Sequence, residues 1–421
     1  MAQKFFIGWL KFFTFAPTKT HYKMRQYNYP KVILKTGKER SLQRLHPWIF
    51  SGAVKNIIGN AVDGENVAVY DSRNAFLGLG HYQKIGSITV RMFTFDEVEP
   101  DREFWKAKIE SAIRLRQSIG YLDSPDTNVC RLIHGEGDGF PGFICDYYNG
   151  IVVFQAHSKG MYLLEEMFAE IFREILGDKV TTIYDKSDKT IPKSDGAAVE
   201  NRFLYGNEAE KEVLEYGMKF YVNVVEGQKT GYFVDQRENR LLLRQYSKGR
   251  NVLNMFCYTG GFSVSAFKGG ASSVTSVDAS QTAIDLTVRN CELNGFDLNH
   301  EAIATDAFEF LDKMEPNKYD LIILDPPAFA KHANVTNQAV KGYTRINRAA
   351  MERIAPGSIL FTFSCSQAID KQTFRMAVME ASLQAKRKIR ILHQLTQPND
   401  HPISMYHPEG EYLKGLVLYV E

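Results

Sequence analysis

A glycine turn and a carboxylate are spaced in the sequence as they are in proteins that bind adenosine. Residues 258–261 (YTGG) follow an apolar, strand-like run, and a glycine pair there lets the backbone approach a ligand closely. The carboxylate of Asp278 follows 18 residues after Gly260, at the end of the next strand-like run, where an acid typically accepts hydrogen bonds from a ribose. Together they indicate a cofactor that contains adenosine.

The choice of cofactor follows from what the sequence lacks. There is no GxGxxG segment to supply backbone donors to a pyrophosphate, which disfavours NAD. S-adenosylmethionine carries no phosphate and needs only a close turn, an acid for the ribose and a polar partner for the adenine. Asp306 could be that partner, or it could cap a helix. The predicted cofactor is S-adenosylmethionine, with contacts from Tyr258, Thr259, Gly260, Asp278, Asp306 and Asp325.

Residues 325–329 (DPPAF) are a more specific signal. Two prolines lock the backbone without supplying amide donors, and they would hold the Asp325 carboxylate and the Phe329 ring beside the cofactor. In adenosylmethionine enzymes a turn of this kind accompanies methyl transfer to a planar, nitrogenous base. The alternative is a plain turn that ends a strand.

The cysteine in residues 364–366 (SCS), at the end of another strand-like run, suggests which atom is methylated. Carbon 5 of a cytosine is a poor nucleophile until a thiolate adds to carbon 6. After methyl transfer a base removes the carbon 5 proton and the thiol is eliminated. We therefore predict Cys365 and Asp325 as the catalytic residues. The other four cysteines are expected to be small buried side chains: Cys130, Cys145, Cys257 and Cys291.

These residues need a scaffold that brings them to one edge. After about residue 216 strands alternate with helices, which predicts an open, mostly parallel α/β sheet with its ligands beyond the carboxyl ends of the strands. Residues 31–95 contain short β-rich runs separated by glycines, which is typical of a small β-barrel. The predicted organisation is an extension outside the fold (1–23), the barrel (24–100), a central α+β domain (101–215) and the parallel-sheet domain (216–421).

Composition limits the class of protein. A chain of 421 residues with 44% apolar and 24% charged residues predicts two or three soluble globular domains. Five cysteines without a CxxC pair indicate neither a disulfide framework nor a zinc site, so we expect no metal and a cytoplasmic location. The apolar run near the N-terminus is too short to span a membrane, and no membrane association is expected.

Charge is concentrated at the front of the chain. The net charge is +2, yet residues 1–100 hold 14 Lys and Arg against 7 Asp and Glu. Four of those lysines lie in the extension, so the basic excess of the barrel itself is small. Trp48 and Phe50 are expected in the core. The predicted RNA contacts are Lys35, Lys38, Arg40 and Arg44, together with Phe329 near the reaction centre.

From residue 31 to 421 the sequence resembles the class I adenosylmethionine-dependent 23S ribosomal RNA cytosine-5 methyltransferases of the large ribosomal subunit. One departure is Ala328, where the family usually has lysine, and the extension is a second. The resemblance rests on residues 45–52 (LHPWIFSG), 138–142 (DGFPG), 229–237 (KTGYFVDQR), 256–262 (FCYTGGF), 325–329 (DPPAF), 362–366 (TFSCS), 401–402 (HP) and 412–415 (YLKG).

The resemblance implies an N-terminal PUA domain, a central α+β domain and a C-terminal Rossmann-like methyltransferase domain, often in a homodimer. It implies that Cys365 is the nucleophile, that Asp325 is its acid/base neighbour, and that Gln236 and Arg237 flank the cofactor pocket. The expected partner is 23S ribosomal RNA or an assembly intermediate of the large subunit. Two alternatives stay open: methylation of uridine carbon 5, and a non-catalytic RNA-binding assembly factor.

Overall fold

The computed structural model describes residues 27–191, 199–329 and 336–421, without the side chain of Thr336. The expected extension 1–23 lies outside the described residues. Within them, no helix is long and apolar enough to cross a membrane.

The first unit is a six-stranded sheet with the order β2-β6-β5-β4-β1-β3. All neighbouring strands run antiparallel except β1 and β4, which are parallel. The short helix α1 (Arg40–Gln43) lies in the connection between β1 and β2. The strands are β1 (Lys31–Leu34), β2 (Trp48–Phe50), β3 (Val54–Ile58), β4 (Asn66–Tyr70), β5 (Phe76–Tyr82) and β6 (Ile88–Thr94).

The second unit is a five-stranded sheet with the order β11-β10-β9-β8-β7, packed with helices. Its strands are β7 (Val129–His134), β8 (Phe143–Tyr148), β9 (Ile151–Ala156), β10 (Thr182–Asp185) and β11 (Arg202–Tyr205). Its helices are α2 (Arg102–Ser118), α3 (Lys159–Tyr162) and α4 (Glu165–Leu176). Helices α3 and α4 are separated by Leu163 and Leu164.

A two-stranded hairpin, β12 (Glu210–Glu215) and β13 (Met218–Asn223), follows this sheet. The hairpin turn contains Tyr216 and Gly217, both with positive φ. The expected domain boundary between residues 215 and 216 lies in this turn. The boundaries themselves stay predictions.

The C-terminal sheet has seven strands in the order β16-β15-β14-β17-β18-β20-β19. The strands from β16 to β18 are parallel, and β20 runs antiparallel to both of its neighbours. Apolar runs such as the fully buried β17 are typical of strands covered by helices on both faces. The strands are β14 (Asn251–Met255), β15 (Ser273–Asp278), β16 (His300–Ala304), β17 (Leu321–Leu324), β18 (Ser358–Ser364), β19 (Ile389–Leu395) and β20 (Lys414–Val420).

Strand order reverses between β14 and β17, which is where ligands of open α/β sheets bind. Several connections into the helices leave from that edge, and the turn after β14, Asp278, Asp325 and Cys365 all lie there. The helices are α5 (Arg237–Ser247), α6 (Gly261–Lys268), α7 (Gln281–Leu293), α8 (Ala307–Lys313), α9 (Thr336–Arg353) and α10 (Lys371–Gln384).

Buried hydrogen bonds join the central unit to the segment between β19 and β20. Arg116 makes two hydrogen bonds to the carboxylate of Asp138, at 2.6 and 2.8 Å, and a third to the backbone carbonyl of Asp400 at 2.6 Å. The side chain of Asp400 in turn accepts the backbone N–H of Arg131 at 2.9 Å. Removing one partner would leave a buried charge without its partner, which is costly. These contacts therefore fix the position of the two units relative to each other.

The expectation that Trp48 and Phe50 are core residues is wrong for Phe50, whose side chain is 45% exposed. Strand β2 lies at one end of the first sheet, and the buried member of its three residues is Ile49. Trp48 is half-buried, and its indole N–H donates to Glu136 of the central unit at 2.7 Å. It therefore serves as a contact between units.

Candidate active site

A cavity of about 560 Å³ opens at the switch point of the C-terminal sheet. Residues at the ends of five parallel strands meet there with the segment that leads into α5. The predicted residues that line it are Gln236, Tyr258, Thr259, Asp278, Asp306, Asp325, Phe329 and Cys365. Positions 107 residues apart, such as Tyr258 and Cys365, therefore share one cavity.

The turn after β14 has a strained backbone. Phe256 and Tyr258 have φ of 58° and 48°, and Gly260 has φ of 78°. A Cβ at position 260 would lie 2.7 Å from Cγ2 of Thr287 in α7, so only glycine allows the turn and the helix to approach. Strain of this kind persists where surrounding contacts enforce it. The Tyr258 hydroxyl supplies one such contact by donating to the carbonyl of Gly231 at 3.1 Å.

Asp278 lies at the end of β15, with its carboxylate fixed by two backbone amides. Tyr258 N–H donates to Oδ2 and Ser280 N–H donates to Oδ1, both at 3.0 Å. Each oxygen has a second lone pair for a ligand donor. The arrangement suits an acid that receives the hydroxyl groups of a ribose.

Asp306 combines the two roles considered from the sequence. Its Oδ1 accepts the N–H groups of Phe308 and Glu309 at 2.9 and 3.1 Å, so it caps α8. The residue also lines the cavity. The aromatic rings and carboxylates around it match the mixed character of an adenosine with a charged amino-acid tail.

Asp325 is the most perturbed acid at the cavity. Burial and the neighbouring charge of Asp235 raise the pKa of Asp325 to about 7, although the amide of Gln236 donates to its Oδ2 at 3.1 Å and favours the carboxylate. An ordinary aspartate is fully ionised at neutral pH. Because the pKa of Asp325 is raised to about 7, both of its protonation states are populated there, and it can donate or accept a proton.

Cys257 and Cys365 both line the cavity, but only Cys365 is partly open, whereas Cys257 and the other three cysteines are buried. Burial and the charge of Asp325 raise the pKa of the Cys365 thiol, and the ammonium of Lys229 opposes them. The burial of Cys257 and Cys291 agrees with the expectation that the other cysteines are small buried side chains. Burial raises the pKa of each of these two thiols to about 12.

Phe329 closes the same end of the cavity. Its ring makes an edge-on contact with Tyr343 of α9 at 4.8 Å between centroids. Gly342 lies under the ring, where a Cβ would come within 3.1 Å of it. Tyr343 also accepts a hydrogen bond from Ser364 at 2.9 Å, which links the ring to the strand that carries Cys365.

Two predicted cofactor residues, Gly260 and Arg237, do not line the cavity. Arg237 is directed away from it. Its fully buried guanidinium lies between Glu215 and Asp400, at 3.8 and 3.5 Å, and over the ring of Tyr121 at 4.2 Å. The first turn of α5 directs Gln236 to the cavity and Arg237 to the central unit.

The four predicted RNA contacts in the first sheet also lie away from the cavity lining. Lys35, Lys38, Arg40 and Arg44 are exposed on the connection from β1 to β2. Lys35 donates to the carbonyl of Gly52 at 2.9 Å. In the structure this basic surface is thus separate from the cavity that contains Asp325 and Cys365.

Sequence reasoning assigned no role to several residues at the cavity. Lys229 lies 4.5 Å from the ring centroid of Phe233 and 4.0 Å from Asp235, and Asp235 accepts a 2.8 Å hydrogen bond from Tyr412. Lys414 does not line the cavity, but it is buried beside it, with its Nζ on the carbonyl of Ser366 next to Cys365. Their signal was present in the segments 229–237 and 412–415, which carry the resemblance.

A second polar cluster joins the first sheet to the C-terminal segment through His46, His407 and Glu409. Its geometry invites comparison with a metal site, but Nδ1 of His46 accepts the backbone N–H of Trp48 at 3.2 Å. The proton of a neutral His46 is therefore on Nε2, facing Glu409 at 3.3 Å, whereas metal-binding histidines donate from the nitrogen away from the metal. The cluster fits a hydrogen bond between units.

Comparison with known proteins agrees with this geometry. A family model for S-adenosylmethionine-dependent methyltransferases matches residues 193–407, and a PUA-like domain model matches residues 32–95. A ribosomal RNA large subunit methyltransferase I from Salmonella arizonae is 38% identical over 399 residues, which cover 93% of this chain and 98% of that protein. Its namesake from Aeromonas hydrophila is 38% identical over 394 residues, with 92% and 98% covered.

Solved structures support the fold. A candidate SAM-dependent methyltransferase from Streptococcus mutans superposes with a TM-score of 0.79 at 24% identity, over 92% of this chain and 99% of that one. The chain therefore belongs to the S-adenosylmethionine-dependent methyltransferases, in the family of the ribosomal RNA large subunit methyltransferase I proteins. The predicted fold class, with its PUA-like and methyltransferase domains, is confirmed, and so is S-adenosylmethionine as the cofactor.

Proposed function

We propose that this member of the family methylates carbon 5 of a cytosine in 23S ribosomal RNA through a covalent adduct on Cys365. The observation that carries the proposal is the meeting of Cys365, Asp325 and the adenosine-type turn in one cavity. Methylation of a ring or exocyclic nitrogen requires no thiol. A cysteine that opens to the cavity while the other four are buried is what carbon 5 chemistry requires.

The bound cofactor supplies an activated methyl group on a sulfonium. We propose that the 258–261 turn, Asp278 and Asp306 hold its adenosine, and that Gln236 orients Asp325 beside it. These residues lie on the ends of packed strands and helices. Their fixed positions supply much of the rate by bringing the reacting atoms together.

In the proposed reaction the Cys365 thiolate adds to carbon 6 while protonated Asp325 gives its proton to nitrogen 3 of the base. Carbon 5 is then enamine-like and takes the methyl group, and the Asp325 carboxylate accepts the nitrogen 3 proton back. A general base removes the carbon 5 proton, the bond from sulfur to carbon 6 breaks, and the electron pair returns to Cys365. A carboxyl with a pKa of about 7 suits both transfers.

Substrate binding is proposed to begin on the PUA-like sheet. The exposed side chains Lys35, Lys38, Arg40 and Arg44 would contact phosphates, while the target nucleotide turns out of its stack into the cavity against Phe329. We further propose that the protein acts in the cytoplasm as a homodimer, on 23S ribosomal RNA or an assembly intermediate of the large subunit.

The test is nucleoside mass spectrometry of 23S ribosomal RNA, taken from a strain that lacks the gene and treated with the purified protein and S-adenosylmethionine. We expect one additional 5-methylcytosine, and none with a Cys365→Ala variant. A 5-methyluridine product would mean that the methylated base is a uridine and not a cytosine. RNA binding without any methylation would favour an assembly factor instead.

A further inference from the structure

The proposed reaction needs Cys365 as a thiolate, and the cavity opposes that form. Burial raises the pKa of the thiol, and so does the negative charge of Asp325. Lys229 opposes them most strongly, but it is half exposed and lies 4.0 Å from the carboxylate of Asp235. A second cation in a drier place would have more effect, because solvent screens it less.

Lys414 occupies such a place. Strands β18 and β20 pair antiparallel, with Ser364 opposite Lys414. The Lys414 side chain reaches past the end of β18, and its Nζ donates to the carbonyl of Ser366 at 2.6 Å. The residue is only 4% exposed. The lysine is therefore bound to the residues on both sides of Cys365, by strand pairing to Ser364 and by its side chain to Ser366.

The position of Lys414 is fixed by close packing of the next residue. A Cβ at Gly415 would lie 2.6 Å from the ring of Phe363, so the two strands approach here at the distance that only glycine permits. Leu413, on the other side of the lysine, lines the cavity and is 1% exposed. A lysine between two such residues has little freedom to move away from the cysteine.

The two groups are also coupled by charge. Burial lowers the pKa of Lys414 to about 8, and the Cys365 thiolate is the largest influence that opposes this, ahead of Glu411 and Asp370; the neighbouring Lys371 acts with burial. Coupling between two sites is reciprocal, so an ammonium that is stabilised by the thiolate must stabilise the thiolate. The charges of Asp325, Asp235 and Lys229 also act on the thiol.

We propose that Lys414 is a positioning residue of this methyltransferase, whose ammonium group, anchored on the carbonyl of Ser366, stabilises the thiolate of Cys365. The proposal rests on the proposed role of Cys365 as the nucleophile. It assigns a function to the YLKG segment, residues 412–415, that the resemblance alone leaves without one.

The first test follows the alkylation of Cys365 by iodoacetamide across pH, with no RNA present and with peptide mass spectrometry as the readout. We expect a Lys414→Met variant to react roughly tenfold more slowly than the wild type near pH 7.5 and to converge with it at high pH, since a nearby charge shifts a pKa by at least about one unit. Lys414→Arg should restore most of the rate. The matched control is Lys386→Met, which removes an exposed lysine that follows α10 and should leave the profile unchanged.

Superimposed profiles for Lys414→Met and the wild type would overturn the proposal, and so would an equal loss in Lys414→Arg. Because alkylation requires neither RNA nor methyl transfer, this result is independent of which nucleoside the enzyme makes. A normal pH shift with a product other than 5-methylcytosine would leave the coupling intact and refute the proposed substrate.

A reciprocal measurement remains decisive if Lys414→Met does not fold. The pKa of Lys414 is followed by NMR of ¹³Cε-labelled lysine in Cys365→Asp and in Cys365→Asn, with the resonance assigned from Lys414→Arg. A permanent negative charge at position 365 should raise the pKa of Lys414 above its value in Cys365→Asn, because that charge opposes burial as the thiolate does. An equal pKa in the two variants would show that the two groups are not coupled and would refute the proposal.

Discussion

The cavity at the sheet edge and the basic surface of the first sheet are both expected to meet the same RNA, yet they are built differently. At the cavity, Asp325, Gln236 and Cys365 lie in a buried network in which each charge affects the next. On the first sheet, Lys35 and Arg44 are exposed to solvent. Chemistry at the cavity therefore depends on individual atoms, whereas binding at the surface depends on summed charge.

That difference predicts how each region responds to mutation. A single change at the cavity should remove a step of the reaction, because the buried groups have no substitutes. A single change on the basic surface should be tolerated, since exposed charges act additively and are screened by salt. The following experiments, ordered by expected effect, test this contrast.

The largest effect is expected from Cys365→Ala. Without the thiol, carbon 5 is not activated, and single-turnover methyl transfer should fall by at least about a thousandfold, as is typical when a nucleophile is removed. Binding of S-adenosylhomocysteine, measured by calorimetry, should be retained. Cys291→Ala removes a fully buried cysteine and is the matched control, with some loss of stability but normal turnover. Full activity of Cys365→Ala would refute the covalent mechanism.

Asp325→Asn should lower the rate about a hundredfold or more by removing an acid that donates to nitrogen 3. The pKa of Asp325 is raised to about 7, so its protonated form declines above that pH while the thiolate continues to increase. The wild-type log rate should therefore rise with pH up to about 7 and then level off.

In Asp325→Asn no such plateau should appear, and the rate should keep rising up to the pKa of the thiol. That pKa should itself be lower, because the carboxylate that raises it is gone. An identical pH profile in the variant and the wild type would exclude Asp325 as the proton donor.

The contrast between regions also explains how much the sequence could predict. Residues 258–261, 325–329 and 364–366 each end a strand, so their meeting at one edge follows from the topology of a parallel sheet. The second role of Asp306, as a cap of α8, was equally accessible, because capping depends on local sequence.

Other features depend on contacts between distant segments and could not be predicted in this way. Arg237 is adjacent to Gln236 in sequence, yet it turns away to Asp400, which lies 163 residues further along the chain. Lys414 reaches the carbonyl of Ser366, next to the cysteine, only because β20 pairs with β18. Phe50 is exposed because β2 is a short strand at the end of its sheet.

A smaller effect is expected from Gly260→Ala. The alanine would have to adopt a φ of 78°, and its Cβ would lie 2.7 Å from Thr287. The turn must therefore shift, and the strain should lower the free energy of unfolding by about 1–3 kcal/mol. Since this turn shapes the cofactor side of the cavity, affinity for S-adenosylmethionine should fall roughly tenfold, a change equivalent to about 1.4 kcal/mol.

Gly295→Ala is the control that separates the backbone strain of a positive φ from the steric clash with Thr287. Gly295 has a φ of 73° but no atoms within 4 Å of its added Cβ, so this variant should lose stability and keep its cofactor affinity. Equal cofactor affinity in both variants and the wild type would mean that the close approach of the turn to α7 does not shape the site.

The smallest effect on chemistry is expected when Lys35, Lys38, Arg40 and Arg44 are all changed to glutamine. The rate at saturating RNA should stay near that of the wild type, because none of the four lines the cavity. Affinity for RNA should fall, and the slope of log affinity against log salt should become shallower by roughly 0.7–0.9 for each phosphate contact removed. The matched control changes four exposed lysines of the C-terminal domain, Lys248, Lys268, Lys386 and Lys388, and should leave the slope unchanged. Equal slopes in the two quadruple variants would show that RNA binds to a surface other than the first sheet. A loss of turnover at saturating RNA would mean that the two regions are coupled. Charge on the first sheet would then help to place the base in the cavity.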